Sequence, residues 1–226
     1  MAKSMSLLLG SGCPPCWRVR ITLEEKLQGY RRKMLSLQAG EHKSPEVLEI
    51  NPRGQLPAFK HGDNVLNESM AACLYLENRY PSKGTRLIPQ TAVEQALAYQ
   101  RMFEGITLND KLNALVYYEW FVPEEERCDN ESPLKRRTEV LVAELQLWEK
   151  YLQKVEPGSY LAGSFSLADV TVFPSIAYAF RFGLSVERYP KLARYYSLLK
   201  GRASIKASWP PYWMESPRGY GVLRDL

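Results

Sequence analysis

Two histidines and four cysteines in 226 residues leave little material for a protein-held metal centre or a disulfide scaffold. A structural zinc site needs four ligands in paired spacing, and the C-x-x-C formed by Cys13 and Cys16 has no second pair to complete it. Cys73 and Cys128 stand alone, so the thiols have chemical or packing roles rather than a cross-linking one; no metal is expected. Long apolar runs are scarce as well. The opening "MAKSMSLLLGSGC" carries one lysine and a short leucine run, well below the ~7–15 apolar residues of a signal h-region. No later stretch approaches the ~18–20 unbroken apolar residues of a membrane span, and a cytoplasmic chain without a membrane partner is expected. Charge of one sign is not concentrated either. The net charge is +5, and "RRK" at 31–33 and "KRR" at 135–137 lie far apart without interleaved aromatics, which argues against nucleic acid as a partner.

What is present is the composition of an ordinary globular protein, 45% hydrophobic, 24% charged and 12% aromatic. The first eighty residues alternate short elements. "SLLL" (6–9) reads as a buried strand and "PPCWRVRITLEEK" (14–26) as a helix, whose leading prolines cost little where first-turn N–H groups have no intrahelical partner. "RRKMLSL" (31–37) follows as a strand, then "SPEVLEI" (44–50) as a short helix capped by Ser44. "AFKHGDNVLN" (58–67) reads as a hairpin, and a last helix (68–80) stops before Pro81. The order is β-α-β-α-β-β-α, a mixed sheet with helices on it, in a domain over residues 1–81. A Pro- and Gly-bearing linker (82–90) leads to an all-helical domain, 91–226. There Leu108, Leu112 and Leu115, and Leu141, Leu145, Trp148 and Leu152, mark core faces. "FSLADV" (165–170) carries a capping box, Ser166 with Asp169, inside a Phe165–Val170 staple.

Two motifs of the first domain point to a ligand. In "NPRGQLP" (51–57), Pro57 falls at a strand start, where a cis Leu56–Pro57 bond would turn the Leu56 backbone toward a bound molecule. "NES" (67–69) sets an acid and a hydroxyl at a helix start, where free N–H groups and the dipole favour a carboxylate. Together they describe a pocket for a small, extended, charged peptide.

With "SGCPPCWRVRI", "GEHKSPEVLEINPRGQLPAF", "NES" and "FSLADV" in register over roughly residues 5–207, the chain resembles the cytosolic glutathione transferases. It is most similar to the rho class of fish, related to the theta and zeta classes. The resemblance implies a thioredoxin-like glutathione-binding domain, a helical domain that supplies most of the electrophile pocket, and a homodimer. It implies conjugation of reduced glutathione to hydrophobic electrophiles as a detoxification reaction. Carried over by position, the Leu56 backbone before Pro57 would pair with the cysteinyl part of glutathione. Glu68 and Ser69 would hold the γ-glutamyl end, and His42, Lys43 and Gln55 would face the glycine end. Tyr117, Tyr118, Phe121, Trp209 and Trp213 would line the electrophile pocket.

The reaction needs a thiolate, and a thiol with a pKa of about 8.5 is mostly protonated at neutral pH. A donor aimed at the sulfur, together with the dipole of the first helix, would favour the anion. No tyrosine precedes that helix, which leaves Ser11 and Cys13. Cys13 falls where theta- and delta-like relatives carry a serine and where the omega class carries a cysteine, so its thiol would serve as donor or enter a mixed disulfide. An omega-like thiol transferase or dehydroascorbate reductase is therefore the alternative enzyme, and a structural or partner-binding protein of this fold the non-catalytic one. Cys16 has two readings, a redox partner of Cys13 or packing inside the helix.

Overall fold

The computed structural model describes residues 4–27, 29–122, 132–215 and 221–226. The chain divides into two compact units, Met1–Ile88 with Arg202–Pro217, and Pro89–Gly201 with Arg218–Leu226. Residues 202–217, which the sequence reading assigned to the helical domain, thus group with the first unit.

The first unit is built on a four-stranded sheet in the order β2-β1-β3-β4. Strand β1 (Met5–Gly10) pairs in parallel with β2 (Arg31–Leu35), in the register Leu7 to Arg32, and antiparallel with β3 (Ala58–His61), in the register Leu7 to Phe59. A parallel pair needs a crossover, and helix α1 (Pro14–Lys26) supplies it. Leu7, Leu8 and Leu9 are all buried, as a central strand covered on both faces requires. At ~1.5–3 kcal/mol for each fully buried side chain, this run anchors the sheet. Strand β2 is an edge whose Arg31, Arg32 and Lys33 are exposed, and charge there discourages pairing with other chains. Strand β4 (Asn64–Leu66) closes the hairpin through Gly62, at φ 61°. Helix α2 (Pro45–Ile50) precedes β3, and α3 (Ser69–Arg79) packs against α1.

The expected order β-α-β-α-β-β-α is therefore present, with three local differences. Strand β2 ends at Leu35, and a 3-10 turn, Glu41–Lys43, precedes α2. Ser44 holds the N-cap position of α2, but its hydroxyl is buried without a hydrogen-bond partner among the described residues, so it does not cap by side chain.

The C-terminal segment of this unit carries the short helices α8 (Ala203–Ala207) and α9 (Pro211–Glu215) and is clipped to α1. The Glu25 carboxylate accepts from Arg202 Nε (2.5 Å) and Nη2 (2.9 Å) and from the Ser204 hydroxyl. Its backbone carbonyl accepts from Thr85 N–H (3.0 Å). That approach requires Gly84, since a Cβ there would fall 1.8 Å from Glu25 O. One helix turn of α1 thereby gathers both the chain leaving the unit and the chain returning to it.

The second unit is helical, with α4 (Ala92–Phe121), α5 (Ser132–Gln153), α6 (Leu167–Arg181) and α7 (Pro190–Lys200). The leucine faces read from the sequence, together with Trp148, are all buried. Gly105 lets α4 close on α6, because a Cβ there would meet Val172 Cγ2 at 2.8 Å. The capping box at the start of α6 forms as expected, with Ser166 N–H donating to Asp169 Oδ2 (2.9 Å). Asp169 also accepts from Leu161 N–H (3.1 Å) and Tyr195 O–H (2.8 Å). No helix among the described residues is long and apolar enough to cross a membrane.

Candidate active site

Three chain segments of the first unit meet at one end of the sheet. The loop Ser11–Cys13 leaves β1 and opens α1, with Gly12 at φ 73°. Such a conformation suits glycine, which has no Cβ to clash. Cys13 is the N-cap residue and makes no capping hydrogen bond, while Pro14 and Pro15 occupy the first turn without an acidic neighbour. Helix α1 therefore presents its positive end uncovered by its own side chains.

Cys13 is half-buried, with Sγ 3.9 Å from the carbonyl oxygen of Leu56. Leu56 precedes Pro57 through a cis bond, as the sequence suggests. Cys16, one turn into α1, is fully buried, and its Sγ accepts from Gly10 N–H (3.4 Å). The two thiols are unlike. A hydrogen bond from the Cys16 thiol holds Cys13 below the ordinary thiol value; burial works against this, and the Arg18 charge assists it. Burial pushes Cys16 well above that value, and the neighbouring Cys13 adds to the rise. The two shifts thus run in opposite directions, the lowered one belonging to the half-buried thiol at the helix start. Cys73 is core, its thiol pushed up to about 11 by burial.

The loop from 51 to 57 is shaped by Asn51, which sequence reasoning did not single out. It is buried, donates through Nδ2 to Gln55 O (2.8 Å) and accepts at Oδ1 from Arg53 N–H (3.1 Å). An Asn directly before Pro is the local sign of such a turn. Gln55 is exposed, whereas Leu56 and Pro57 are buried. Lys43 lies along this loop and donates to Arg53 O (3.2 Å). His42 is half-buried and its Nδ1 has no hydrogen-bond partner among the described residues.

Glu68 is the N-cap residue of α3 and Ser69 its first residue, again without a side-chain cap. Ser69 is buried, while Glu68 is exposed and pairs with Arg53 Nη1 (3.0 Å). Arg53 was not foreseen, since an exposed arginine in a loop carries no local signature. Beside them, Asn67 Oδ1 is another buried atom without a partner among the described residues. Two uncapped helix starts and orphaned polar atoms at His42 and Asn67 fit a small zwitterionic ligand that completes them.

The aromatic residues assigned to an electrophile pocket divide between the units. In the first unit Trp209 and Trp213 pack edge-on against Trp17, with centroids 5.2 and 5.4 Å away. In the second unit Tyr117 is 61% exposed, and the Arg137 guanidinium lies over the Tyr118 ring at 4.4 Å. The Phe121 side chain and Cys128 lie outside the described residues. No cluster of His, Cys, Asp and Glu suited to a metal occurs among the described residues.

The family model "Glutathione S-transferase, N-terminal domain" matches residues 12–79, and "Glutathione S-transferase, C-terminal domain" matches residues 111–209. The chain is 62% identical to glutathione S-transferase A of Pleuronectes platessa over 228 aligned residues, covering 100% of both. Among solved structures, a glutathione S-transferase from the Antarctic clam Laternula elliptica is 38% identical, with a TM-score of 0.84 over 98% of this chain and 99% of that one. A glutathione transferase from Phanerochaete chrysosporium, solved in complex with oxidized glutathione, is 27% identical, with a TM-score of 0.79 over 95% and 97% of the two chains. The chain belongs to the glutathione S-transferase family.

Proposed function

We propose that this transferase joins the sulfur of glutathione to the electrophilic carbon of hydrophobic compounds, and that the sulfur is held at the start of α1. The observation that carries the reading is Cys13, half-buried at an uncapped helix start with its Sγ 3.9 Å from the Leu56 carbonyl beside the cis bond to Pro57. A relative in complex with oxidized glutathione supports the same ligand here. Leu56 would pair through its backbone with the cysteinyl part. Glu68 and Ser69 would take the γ-glutamyl end at the open start of α3, and His42, Lys43 and Gln55 the glycine end.

In the reaction the thiol proton leaves to solvent and the sulfur lone pair forms the new carbon–sulfur bond. The leaving group departs with its electron pair, or the electrophile's double bond takes it up. What the chain contributes is preference for the thiolate. The dipole of α1 and a donor from Cys13, or from Ser11 on the same loop, favour the anion, each unit of lowered pKa being ~1.4 kcal/mol. Trp213, beside Gly12, gives a flat apolar electrophile an aromatic wall in this unit.

The reading extends to class and setting. Identity of 62% along the whole chain to a fish protein supports the rho class of fish. A cytoplasmic homodimer, with no resident metal, follows the habit of the family.

The test is paired assays, conjugation of a chloronitrobenzene and reduction of a glutathione mixed disulfide, in wild type, Ser11→Ala, Cys13→Ser and Cys16→Ser. Conjugation is expected to dominate and to survive in Cys16→Ser; a Cys13→Ser variant that keeps conjugation and loses reduction would make Cys13 redox machinery, with a serine hydroxyl sufficient for conjugation. Loss of conjugation in Ser11→Ala alone would transfer the donor role to Ser11. A wild type that only reduces the disulfide would overturn conjugation as the activity.

A further inference from the structure

The segment 202–215 is tied to the first unit at successive points, and the last of them falls on the loop that carries the proposed sulfur donors. Arg202 and Ser204 hold Glu25, and Arg20 Nη2 donates to Ala207 O (3.2 Å). Trp17 Nε1 donates to the buried Ser208 hydroxyl (2.9 Å). Trp17, Trp209 and Trp213 then form an edge-on triad, the two tail rings lying 5.9 Å apart.

At the end of this path, α9 sits on Ser11 and Gly12. Tyr212 N–H donates to Ser11 Oγ at 3.4 Å. The indole nitrogen of Trp213 occupies the space that a Cβ on Gly12 would need, 2.5 Å from its ideal position. Gly12, at φ 73°, is the most permissive residue of the loop, and the indole closes over it. We propose that Trp213 is a positioning residue for thiol activation. By seating on Gly12 it fixes the Ser11–Cys13 loop so that the donor meets the glutathione sulfur.

The chemistry makes a fixed loop valuable. A donor stabilises an anion most when it is already oriented and needs no reorganisation. A hydroxyl has two lone pairs and one proton. The Tyr212 N–H occupies a lone pair of Ser11 and leaves its O–H proton for another acceptor. Without the indole, Gly12 regains its freedom and both Ser11 and Cys13 lose their common orientation. An indole acting only as a wall for the electrophile would leave the ionisation of bound glutathione untouched.

This inference rests on Ser11 and Cys13 being the groups that face the sulfur, and the experiment separates the two claims. The pKa of bound glutathione is read from the ultraviolet absorbance of its thiolate, against an S-methyl glutathione blank, alongside thermal unfolding. Wild type is compared with Trp213→Ala, Trp213→Phe, Ser11→Ala and Cys13→Ala. Trp213→Ala is expected to raise the pKa by about one unit, a roughly tenfold loss of thiolate below that pKa. Trp213→Phe recovers at least half of the shift. A wild-type pKa in Trp213→Ala, with Ser11→Ala or Cys13→Ala raised, overturns the positioning role even if the melting temperature falls. A wild-type pKa in both Ser11→Ala and Cys13→Ala overturns the reading of the donors themselves.

Discussion

Helix α6 of the second unit begins with Ser166 and Asp169 satisfying each other's backbone, whereas α1 of the first unit begins at Cys13 with no side-chain cap. The contrast recurs within each unit. Helix α4 starts with Thr91 accepting from Glu94 N–H (3.2 Å), and at the start of α7 the N–H groups of Lys191 (3.1 Å) and Leu192 (2.7 Å) donate to Glu149. In the first unit α3, like α1, begins without a side-chain cap, at Glu68. A helix start ordinarily leaves about four N–H groups unpaired; at α1, Pro14 and Pro15 carry none, so what stays open there is mainly the positive end of the dipole. Where the chain supplies the acceptors itself, the start is scaffold. Where it withholds them beside a half-buried thiol, a cis-proline turn and orphaned polar atoms, the start is offered to a ligand.

The largest effect that tests this contrast lies in the second unit. Asp169→Ala removes the acceptor of Leu161 N–H, Ser166 N–H and Tyr195 O–H together. Buried donors left unpaired cost ~1–3 kcal/mol each before relaxation, so a loss of about 3 kcal/mol is expected in urea unfolding. A loss below about 1 kcal/mol would mean that α6 does not depend on its own cap.

The opposite pattern is expected at α3. Ser69→Ala should weaken glutathione binding about tenfold, ~1.4 kcal/mol, with little change in unfolding. Equal losses in binding and stability would make Ser69 scaffold, like Ser166.

Much of this contrast can be read along the chain, and part of it cannot. The box at Ser166 and Asp169 is a local pattern, as are the prolines that open α1 and the turn residues of the β3–β4 hairpin. Asp169's other partners are not local, since Tyr195 comes from α7 and Leu161 from the preceding loop. Ser44 carries the local signature of a cap and does not act as one, because its hydroxyl is buried away from an acceptor or donor. The seat of Trp213 on Gly12 joins residues some 200 positions apart, and no spacing rule reports such a contact. For the same reason the sequence puts 202–217 with the helices that precede it, although Glu25 and Trp17 hold it in the first unit.

The two units also differ in how they treat a buried carboxylate, which sets a pH prediction. Burial pushes Asp169 up to about 6, because its partners are neutral donors. Burial acts on Glu25 as well, but hydrogen bonds from Arg202, Ser204 and Thr85 and the Arg202 charge outweigh it and hold the carboxyl below 4.5. The stability linked to Asp169 is fully present below its ordinary value of 3.8 and is lost as pH rises through about 6. That linked to Glu25 is present above 4.5 and is lost as pH falls through its lowered value. Melting temperature against pH should therefore lose a falling component between about 4 and 6 in Asp169→Asn, and a rising component below 4.5 in Glu25→Gln. The same slope change in both variants would contradict these signs.

The smallest expected effect closes the open start. Cys13→Asp installs a preferred N-cap on α1 and should stabilise the fold by up to about 1 kcal/mol. The same carboxylate repels a thiolate beside it, so stability should rise as conjugation falls. A variant no more stable than wild type would mean that this start is already satisfied.

In the proposed reaction the start of α1 turns bound glutathione into its thiolate through the Ser11–Cys13 loop. The most direct measurement is the pKa of the glutathione thiol bound to wild type and to the Ser11→Ala/Cys13→Ala double variant, by difference titration of thiolate absorbance. The wild-type value is expected one to two units below that of free glutathione, about a 10- to 100-fold gain in the thiolate-to-thiol ratio, with most of it lost in the double variant. A bound thiol that titrates like free glutathione in wild type, or equally low in both proteins, would contradict it.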